Sequence, residues 1–300
     1  MTARVSIGVD LGGTKIAAAL VAGDGTVLAR ALRPTPSGSA RELADAVADA
    51  VLAVGADDAS VGLAVAGRVS ADGDVMLQSA NLGLRDVPLS SLVTARSGHP
   101  VRLLNDADAA LLGEHWLGAA RGQDDVLMVT LGTGVGGAAL VAGRLLRGAH
   151  GAAGEIGHAT VKHDGRTCAC GGRGCLDRYA SGRALARYGT RRSGTRVRTG
   201  TDVTFAARRG ESWAMAAIGD LAGWLAIGLA NAIALLDPAL IVLAGGLGTA
   251  GEVVRGPVAE RLDCELQRRG VPGRPPVTSA QLHSEAGAIG AAAYTSGRFS

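Results

Sequence analysis
Three of the four cysteines, Cys168, Cys170 and Cys175, fall in one short segment, and His158 lies ten residues before the first of them. One imidazole and three thiolates complete a closed tetrahedral Zn²⁺ site with no position left for water, so the metal would be structural. Thiolates suit zinc, and the glycines of Cys168-x-Cys170-Gly-x-x-Gly-Cys175 let the loop wrap an ion. Three reduced structural cysteines are the competing reading. His163 is the competing imidazole, and Cys264 stands apart as a free thiol.

Two carboxylates flank this cluster: Glu155, three residues before His158, and Asp177, two after Cys175. A metal knot between them would fix both in space, where each can accept paired hydrogen bonds from sugar hydroxyls. Taken singly, each reads as a solvated surface charge. Asn105-Asp106 follows the apolar run Val101 to Leu104 and opens the helical stretch Ala107 to Leu117. Asn and Asp are favoured helix N-caps. The same pair stands at a strand end, where open α/β sheets place their ligands. There Asp106 could take a proton from a substrate hydroxyl. Both readings stay open on spacing.

Two glycine turns carry phosphate chemistry. In Asp10-Leu-Gly12-Gly13-Thr14-Lys15 the glycines admit phosphate oxygens to backbone N–H groups, Thr14 adds a hydroxyl, and Asp10 could hold Mg²⁺ through water. The order Gly-Thr-Lys is not that of a Walker A loop, and an ordinary hairpin turn competes. Gly132-Thr133-Gly134-Val-Gly-Gly137 formally matches the dinucleotide fingerprint. That fingerprint needs a long helix next, yet only Ala138 to Ala142 precede Gly143. A hairpin cradling ATP phosphates through Thr133 and backbone amides is the expectation.

The elements that must position these residues alternate. Val5 to Val9, Val61 to Val65, Val101 to Leu104, Val126 to Leu131 and Leu240 to Leu243 read as buried strands. Lys15 to Ala22 reads as a strand, although its alanines also permit a helix. Asp24-Gly25 is a turn, and Ala40 to Val54 has helical spacing. Leu221 to Leu236 reads as a buried helix stopped by Asp237-Pro238; it is too short for a comfortable membrane span and contains Asn231. The unit of strand, glycine turn with threonine, and strand occurs twice, which suggests duplicated halves. Thr190 to Thr201, rich in Arg, Gly and Thr, reads as a solvated loop. The fold class is α/β.

The 300 residues suit two domains. Aromatics are only 3% against 47% hydrophobic residues, so the core is built from Ala, Val and Leu; the 46 glycines cluster between apolar runs. A net charge of +3, spread along the chain, is weak evidence for nucleic-acid binding, and no nucleic-acid partner is expected. The first ten residues lack the apolar stretch of a signal peptide, so a cytoplasmic enzyme without a membrane partner is expected.

In order along nearly the whole chain, these segments resemble the ROK family of sugar kinases and repressors. Asp10 to Lys15 and Leu131 to Gly137 resemble its two phosphate motifs. Asn105-Asp106 resembles its substrate pair, and Gly154-Glu-Ile-Gly-His158 with the cysteine cluster resembles its zinc signature. Leu236-Asp-Pro-Ala-Leu-Ile-Val-Leu-Ala-Gly-Gly246 resembles the strand and loop near the adenosine. The resemblance implies a two-lobed, actin-like (ribonuclease-H-like) fold. Residues 1–106 would form the smaller lobe, completed by a C-terminal helix at 285–300, and residues 107–284 the larger. It implies a glucokinase-like enzyme using ATP, Mg²⁺ and structural Zn²⁺, with Asp106 as catalytic base. Gly67, Arg68, Asn81, Asn105, Glu155, His158 and Asp177 would lie on the sugar side, and Gly245 and Gly246 on the nucleotide side. A homodimer or homotetramer is implied. The family's repressors carry a helix-turn-helix domain before the first phosphate motif, for which Met1 to Val9 offers no room.

Three positions depart from the pattern: Ala66 precedes Gly67 where proline is common, Asp177 stands for the usual Glu, and Asn81-Leu-Gly-Leu84 stands for Asn-Leu-x-Trp. All lie on the sugar side. A modified hexose or aminosugar, of the kanosamine, N-acetylmannosamine or N-acetylglucosamine type, therefore competes with glucose. An NAD-dependent oxidoreductase and a non-catalytic sugar sensor are the readings from other classes.

Overall fold
A computed structural model of the chain describes residues 5–79 and 81–299. The chain forms two compact units: one of residues up to 122 with 143–153 and 284 onward, the other of 123–142 and 154–283.

In the first unit, Val5–Leu11 (β1), Lys15–Ala22 (β2) and Val27–Pro34 (β3) form an antiparallel meander. Ala40–Ala53 (α1) follows. Its start is fixed by Ser39, which with Glu42 forms a capping box. Ser60–Val65 (β4) then lies parallel to β1. Arg68–Val69 (β5), Met76–Ser79 (β6) and Leu84–Val87 (β7) make a small antiparallel sheet. After Leu89–Ser97 (α2), Val101–Asn105 (β8) pairs parallel with β4 and leads into Asp106–Leu117 (α3). The large sheet has the order β3-β2-β1-β4-β8. Lys15 to Ala22 is a strand despite its alanines, because α1 on one face and the C-terminal helix on the other bury it on both sides.

The second five-stranded sheet repeats the plan. Val126–Leu131 (β9), Val135–Val141 (β10) and Arg144–Leu145 (β11) are followed, after the cysteine loop, by five helices. These are Asp177–Ala180 (α4), Gly182–Ser193 (α5), Gly200–Arg208 (α6), Ser212–Leu236 (α7) and, after Leu240–Ala244 (β12), the short Gly245–Gly248 (α8). Glu252–Arg269 (α9) and Val277–Ser279 (β13) complete it. The order is β11-β10-β9-β12-β13, with β9, β12 and β13 parallel. Both sheets thus read 3-2-1-4-5 in their own strands, so the duplication is one of topology and not only of motif.

Helix α7 is long and apolar enough to cross a membrane by composition alone. It instead buries Leu221, Leu225, Leu229 and Ile233 against α4, α5, α6 and α9. It begins at Ser212, nine residues before the apolar run that marks it in the sequence, and ends where Asp237 turns left-handed (φ 42°) before Pro238. The expected loop at Thr190 to Thr201 is corrected. Its first residues finish α5, where Arg191 and Arg192 pair with Asp220 of α7 at 2.8 and 2.7 Å, and Thr199 caps α6.

The last helix, Ala286–Thr295 (α10), returns to the first unit and explains the small-residue composition. It lies on β1 and β4 at backbone contact: a Cβ at Gly8 would sit 1.8 Å from the Ala288 oxygen, and one at Gly62 1.9 Å from the Ala291 oxygen. Helix α3 packs on α10, so the first unit runs past residue 106 to Gly122. Residues 143–153 are held there as well. Arg147 donates from Nη1 to the Ala71 oxygen and the Tyr294 hydroxyl, both at 3.0 Å, and from Nη2 to the Ser70 oxygen at 3.1 Å.

Candidate functional site
In the first unit the candidate residues gather where parallel strands end. Register aligns Leu11 with Val65 and Val65 with Asn105, so the chain leaves β1, β4 and β8 at one edge of the sheet. That is the edge at which open α/β sheets bind ligands. Asn105 is the cap of α3. Its Oδ1 accepts from Ala107 N (2.8 Å) and Asp108 N (3.3 Å), capping α3, while Nδ2 donates to the Gly67 oxygen at 2.9 Å. It therefore ties the loop after β4 to the start of α3. Asp106, the first residue of that helix, is exposed. It sits where the helix dipole favours a negative charge.

Gly12 to Lys15 is a hairpin turn, closed by Gly12 N donating to the Lys15 oxygen at 3.0 Å. Gly13, Thr14 and Lys15 are exposed, and the Cβ position of Gly13 lies 3.4 Å from Asn81 Cβ, so this turn and Asn81 adjoin. Thr35 secures the turn: its hydroxyl donates to the Gly12 oxygen (2.7 Å) and its N–H to the Thr14 oxygen (3.1 Å). Asp10 precedes the turn on β1. Burial raises its pKa above the ordinary carboxylate value, and Lys15 partly opposes this. A carboxylate held against its solvation in this way favours a cation partner. Gly67 admits no side chain, since a Cβ there would lie 2.2 Å from the Gln78 oxygen; Arg68 beside it is exposed.

The second unit gathers the other candidates. Gly132–Gly134 is the turn between antiparallel β9 and β10, and Gly136 and Gly137 already lie in β10, so the helix required by a dinucleotide fingerprint is replaced by a strand and the NAD reading falls. The turn is gripped from outside. Val135 N donates to Asp177 Oδ1 at 3.0 Å, Gly182 N to the Gly132 oxygen at 2.8 Å, and Arg183 Nε to the Thr133 oxygen at 2.9 Å. Gly245, at φ 75°, brings the end of β12 against β9; its Cβ position lies 2.7 Å from the Leu131 oxygen, and Gly246 faces open space.

The His158 segment rests on the same hairpin. A Cβ on Gly157 would lie 1.9 Å from the Val135 oxygen, and one on Gly137 2.8 Å from the Gly154 oxygen. His158 turns Nδ1 toward Cys168 Sγ (3.8 Å) and Nε2 toward Glu155 Oε2 (4.0 Å). Cys170 and Cys175 sulfurs are 3.6 Å apart, and all four donor atoms lie within 4.8 Å of one another. Tetrahedral zinc with bonds of about 2.0–2.3 Å needs donors roughly 3.3–3.8 Å apart, so the cluster fits the ion with slight contraction. The thiols ask for one. Burial and neighbouring thiols push Cys175 up to about 12, whereas the Gly172 N–H pulls Cys170 down. Cys175 becomes a thiolate near neutral pH only with a cation beside it. His163 is not in the cluster; it is 97% exposed beside Asp164. Cys264 is an exposed free thiol on α9.

Asp177 differs from its sequence reading as a sugar-side carboxylate in one respect: it is only 8% exposed and its Oδ1 is engaged with the glycine hairpin. Thr35, Gly182 and Arg183 were not foreseen. Ser181, which caps α5 by accepting from Ala184 N, was the readable signal for the latter two. Nothing around Thr35 marks it, because its partners are backbone oxygens far along the chain.

A model of the ROK family matches residues 6–298 of the chain. The glucokinase of Streptomyces coelicolor is 37% identical over 308 residues, covering 96% of each chain. The N-acetylmannosamine kinase of Yersinia pseudotuberculosis is 33% identical over 292 residues, covering 96% of this chain and 97% of its own. A ROK family glucokinase from Streptomyces griseus, crystallised with glucose and AMPPNP, superposes with a TM-score of 0.83 at 38% identity, covering 97% and 99% of the two chains.

Proposed function
The chain belongs to the ROK family, and from that premise we propose that it is an ATP-dependent hexose kinase acting on the 6-hydroxyl of glucose. The observation that carries the reading is Asp106. It is an exposed carboxylate at the end of a parallel strand and the start of a helix, in a chain that also holds two glycine hairpins of matching topology.

Asp106 accepts the proton of the 6-hydroxyl as that oxygen bonds to the γ-phosphorus; the bond from γ-phosphorus to the bridging oxygen breaks and ADP leaves. Asn105 holds Gly67, and with it Arg68, in place on the sugar side, and Asn81, which adjoins the Gly13 turn, bonds the sugar as well. Glu155 and the outward Nε2 of His158 bond the other hydroxyls. Gly12, Gly13, Thr14 and Lys15, and Gly132, Thr133 and Gly134, bind phosphate oxygens; Gly245 and Gly246 border the adenosine. Asp177 is assigned to positioning the second hairpin. Asp10 would hold Mg²⁺, whose charge offsets that of the phosphates. His158, Cys168, Cys170 and Cys175 would hold zinc, which fixes the orientation of the imidazole. Acceleration comes from placement and charge stabilisation. The same reading makes the enzyme a cytoplasmic homodimer or homotetramer without nucleic-acid or membrane partners; sedimentation of the purified protein tests the assembly.

An aminosugar kinase is the second reading. It is favoured by the similarity to an N-acetylmannosamine kinase and by Ala66, Asp177 and Leu84 on the sugar side. ADP release across a panel of hexoses and aminosugars, compared as kcat/KM, separates the two. On the preferred sugar, Asp106→Asn is expected to lose roughly two or more orders of magnitude in kcat while still binding sugar. Near-normal turnover would remove Asp106 from the mechanism.

A further inference from the structure
The second unit contains a cavity of about 450 Å³ that none of the residues above explains. One wall is the chain between the zinc ligands His158 and Cys168, including Lys162 and Arg166. The other is made by α4, α5 and α7, through Tyr179, Arg191, Asp220 and Trp224. Two aromatic rings stack on one another: Tyr179 and Trp224 have centroids 4.5 Å apart and planes tilted by 36°. Cations flank the stack, with Lys162 Nζ 5.9 Å from the Trp224 centroid and the Arg166 guanidinium 5.1 Å from that of Tyr179.

The positive charge here is poorly compensated. Arg166 Nη1 and Arg187 Nη2 donate to a single acceptor, the Arg178 oxygen, at 3.1 and 2.7 Å. The buried Arg178 Nε has no hydrogen-bond partner. Two carboxylates line the cavity, Asp220, which serves both Arg191 and Arg192, and Asp164, which lies 3.9 Å from His163 Nε2. Burial, then the charges of Arg166 and Arg178, lower the pKa of Arg187, which reports mutual repulsion among the guanidinium groups. Natural basic clusters of this kind are relieved by a bidentate anion.

We propose that this cavity binds a phosphate monoester carrying a ring, of a size between a sugar phosphate and a mononucleotide. The volume lies within the range of small-molecule sites. The phosphate meets Lys162, Arg166 and Arg191, and the ring packs against the edge of the Tyr179–Trp224 stack. Such a ligand acts on the kinase through two neighbours. It stiffens the segment spanning zinc ligands His158 and Cys168, and it presses on Tyr179, two residues beyond the Asp177 that grips the glycine hairpin.

The test uses the zinc-loaded full chain with glucose and AMPPNP saturating, so that the reaction site is filled. Glucose 6-phosphate, AMP and inorganic phosphate are titrated separately by calorimetry. At least one ester should bind saturably and more tightly than inorganic phosphate. Lys162→Glu and Arg166→Ala should each weaken it at least about tenfold, the scale of one lost charged contact. Lys162 is exposed, so its variant keeps the comparison sound if Arg166→Ala disturbs the loop; retained zinc content checks both. No saturable binding by either ester at millimolar concentration, affinities unchanged in the charge variants, or inorganic phosphate binding as tightly as the esters would each overturn the proposal.

Discussion

Asp177→Ala gives the sharpest test of how the zinc knot and the phosphate hairpin are joined. Asp177 and Val135 are 8% and 7% exposed, and the carboxylate accepts the Val135 N–H at 3.0 Å. A hydrogen bond to a charged group contributes about 1.5–3 kcal/mol net, and an orphaned buried N–H costs a similar amount. These describe one loss, so Asp177→Ala should destabilise the protein by roughly 2–3 kcal/mol. Asp177→Asn keeps an acceptor of the same reach but no charge, and should lose about half as much. The kinetic consequence follows from location. The hairpin proposed to hold the phosphates loses its outer grip, so KM for ATP should rise about tenfold, equivalent to about 1.4 kcal/mol. KM for sugar should move little. Denaturant melts and steady-state kinetics with each substrate varied provide both readouts. If sugar KM rises while ATP KM and stability hold, Asp177 is the sugar ligand that its sequence context suggests, and the positioning role is refuted.

Three further outcomes are expected. Asp10 has a raised carboxyl pKa, so the native state holds its proton more tightly than the unfolded chain does; metal-free stability from this group is greatest at acid pH and declines as pH rises through the native pKa. Asp10→Asn should remove that decline and also Mg²⁺ protection, and melts across the acid-to-neutral range with an unchanged slope would count against it. Stripping zinc with a chelator should lower stability and sugar affinity together. Rebinding zinc in weak buffer near neutral pH should release at least one proton, because Cys175 near 12 starts as a thiol; metal analysis of the native protein finding no zinc would refute the site. Gly8→Ala places a methyl 1.8 Å from the Ala288 oxygen, so α10 must shift and the cost should reach about 3 kcal/mol or more; a change under about 1 kcal/mol would show that the helix has slack.

Residues whose partners are local were readable. The His158 and cysteine cluster is held by a few closely spaced chain reversals, with Cys168 N bonding the Gly172 oxygen and Leu176 N the Ala159 oxygen, so spacing foretold it. The strands Val126–Leu131 and Leu240–Ala244 are continuous apolar runs because parallel strands are covered on both faces. What stayed hidden depends on distant partners. Ser212 to Gly219 is less apolar than the rest of α7, so periodicity missed a helix start decided by packing. The charge-rich α9 carries Pro257 and shows little apolar patterning, yet Val254, Val258, Leu262 and Leu266 supply a buried stripe. The extent of the first unit past residue 106 rests on α3 meeting a helix that arrives some 170 residues later in the chain. Asp177 was legible as a fixed carboxylate, but not the direction in which its oxygen turns.

The duplicated sheets show how one topology came to carry two chemistries. In each unit the first strand turns through a glycine hairpin into the second, and the parallel strands end at the same edge. Register places Asp10 opposite Ala64 in the first unit and Thr130 opposite Ala244 in the second, so a carboxylate in one half corresponds to a neutral hydroxyl in the other. The turn after the fourth strand of the sheet is Ala66-Gly67 in the first and Gly245-Gly246 in the second. The strand-end carboxylates, Asp10 and Asp106, thus fall in the first unit, and the second has Thr130 and the glycine hairpin there, with Asp177 Oδ1 bound to the Val135 N–H. Electrostatics gives this division a reason. A carboxylate suits proton transfer and cation binding but repels a polyphosphate, whereas amide N–H groups attract it at no cost in charge. Introducing a carboxylate at Thr130 would make the second edge resemble the first, and Thr130→Asp should therefore weaken ATP while leaving sugar affinity intact. Equal weakening of both substrates would mean that the two edges are not chemically specialised.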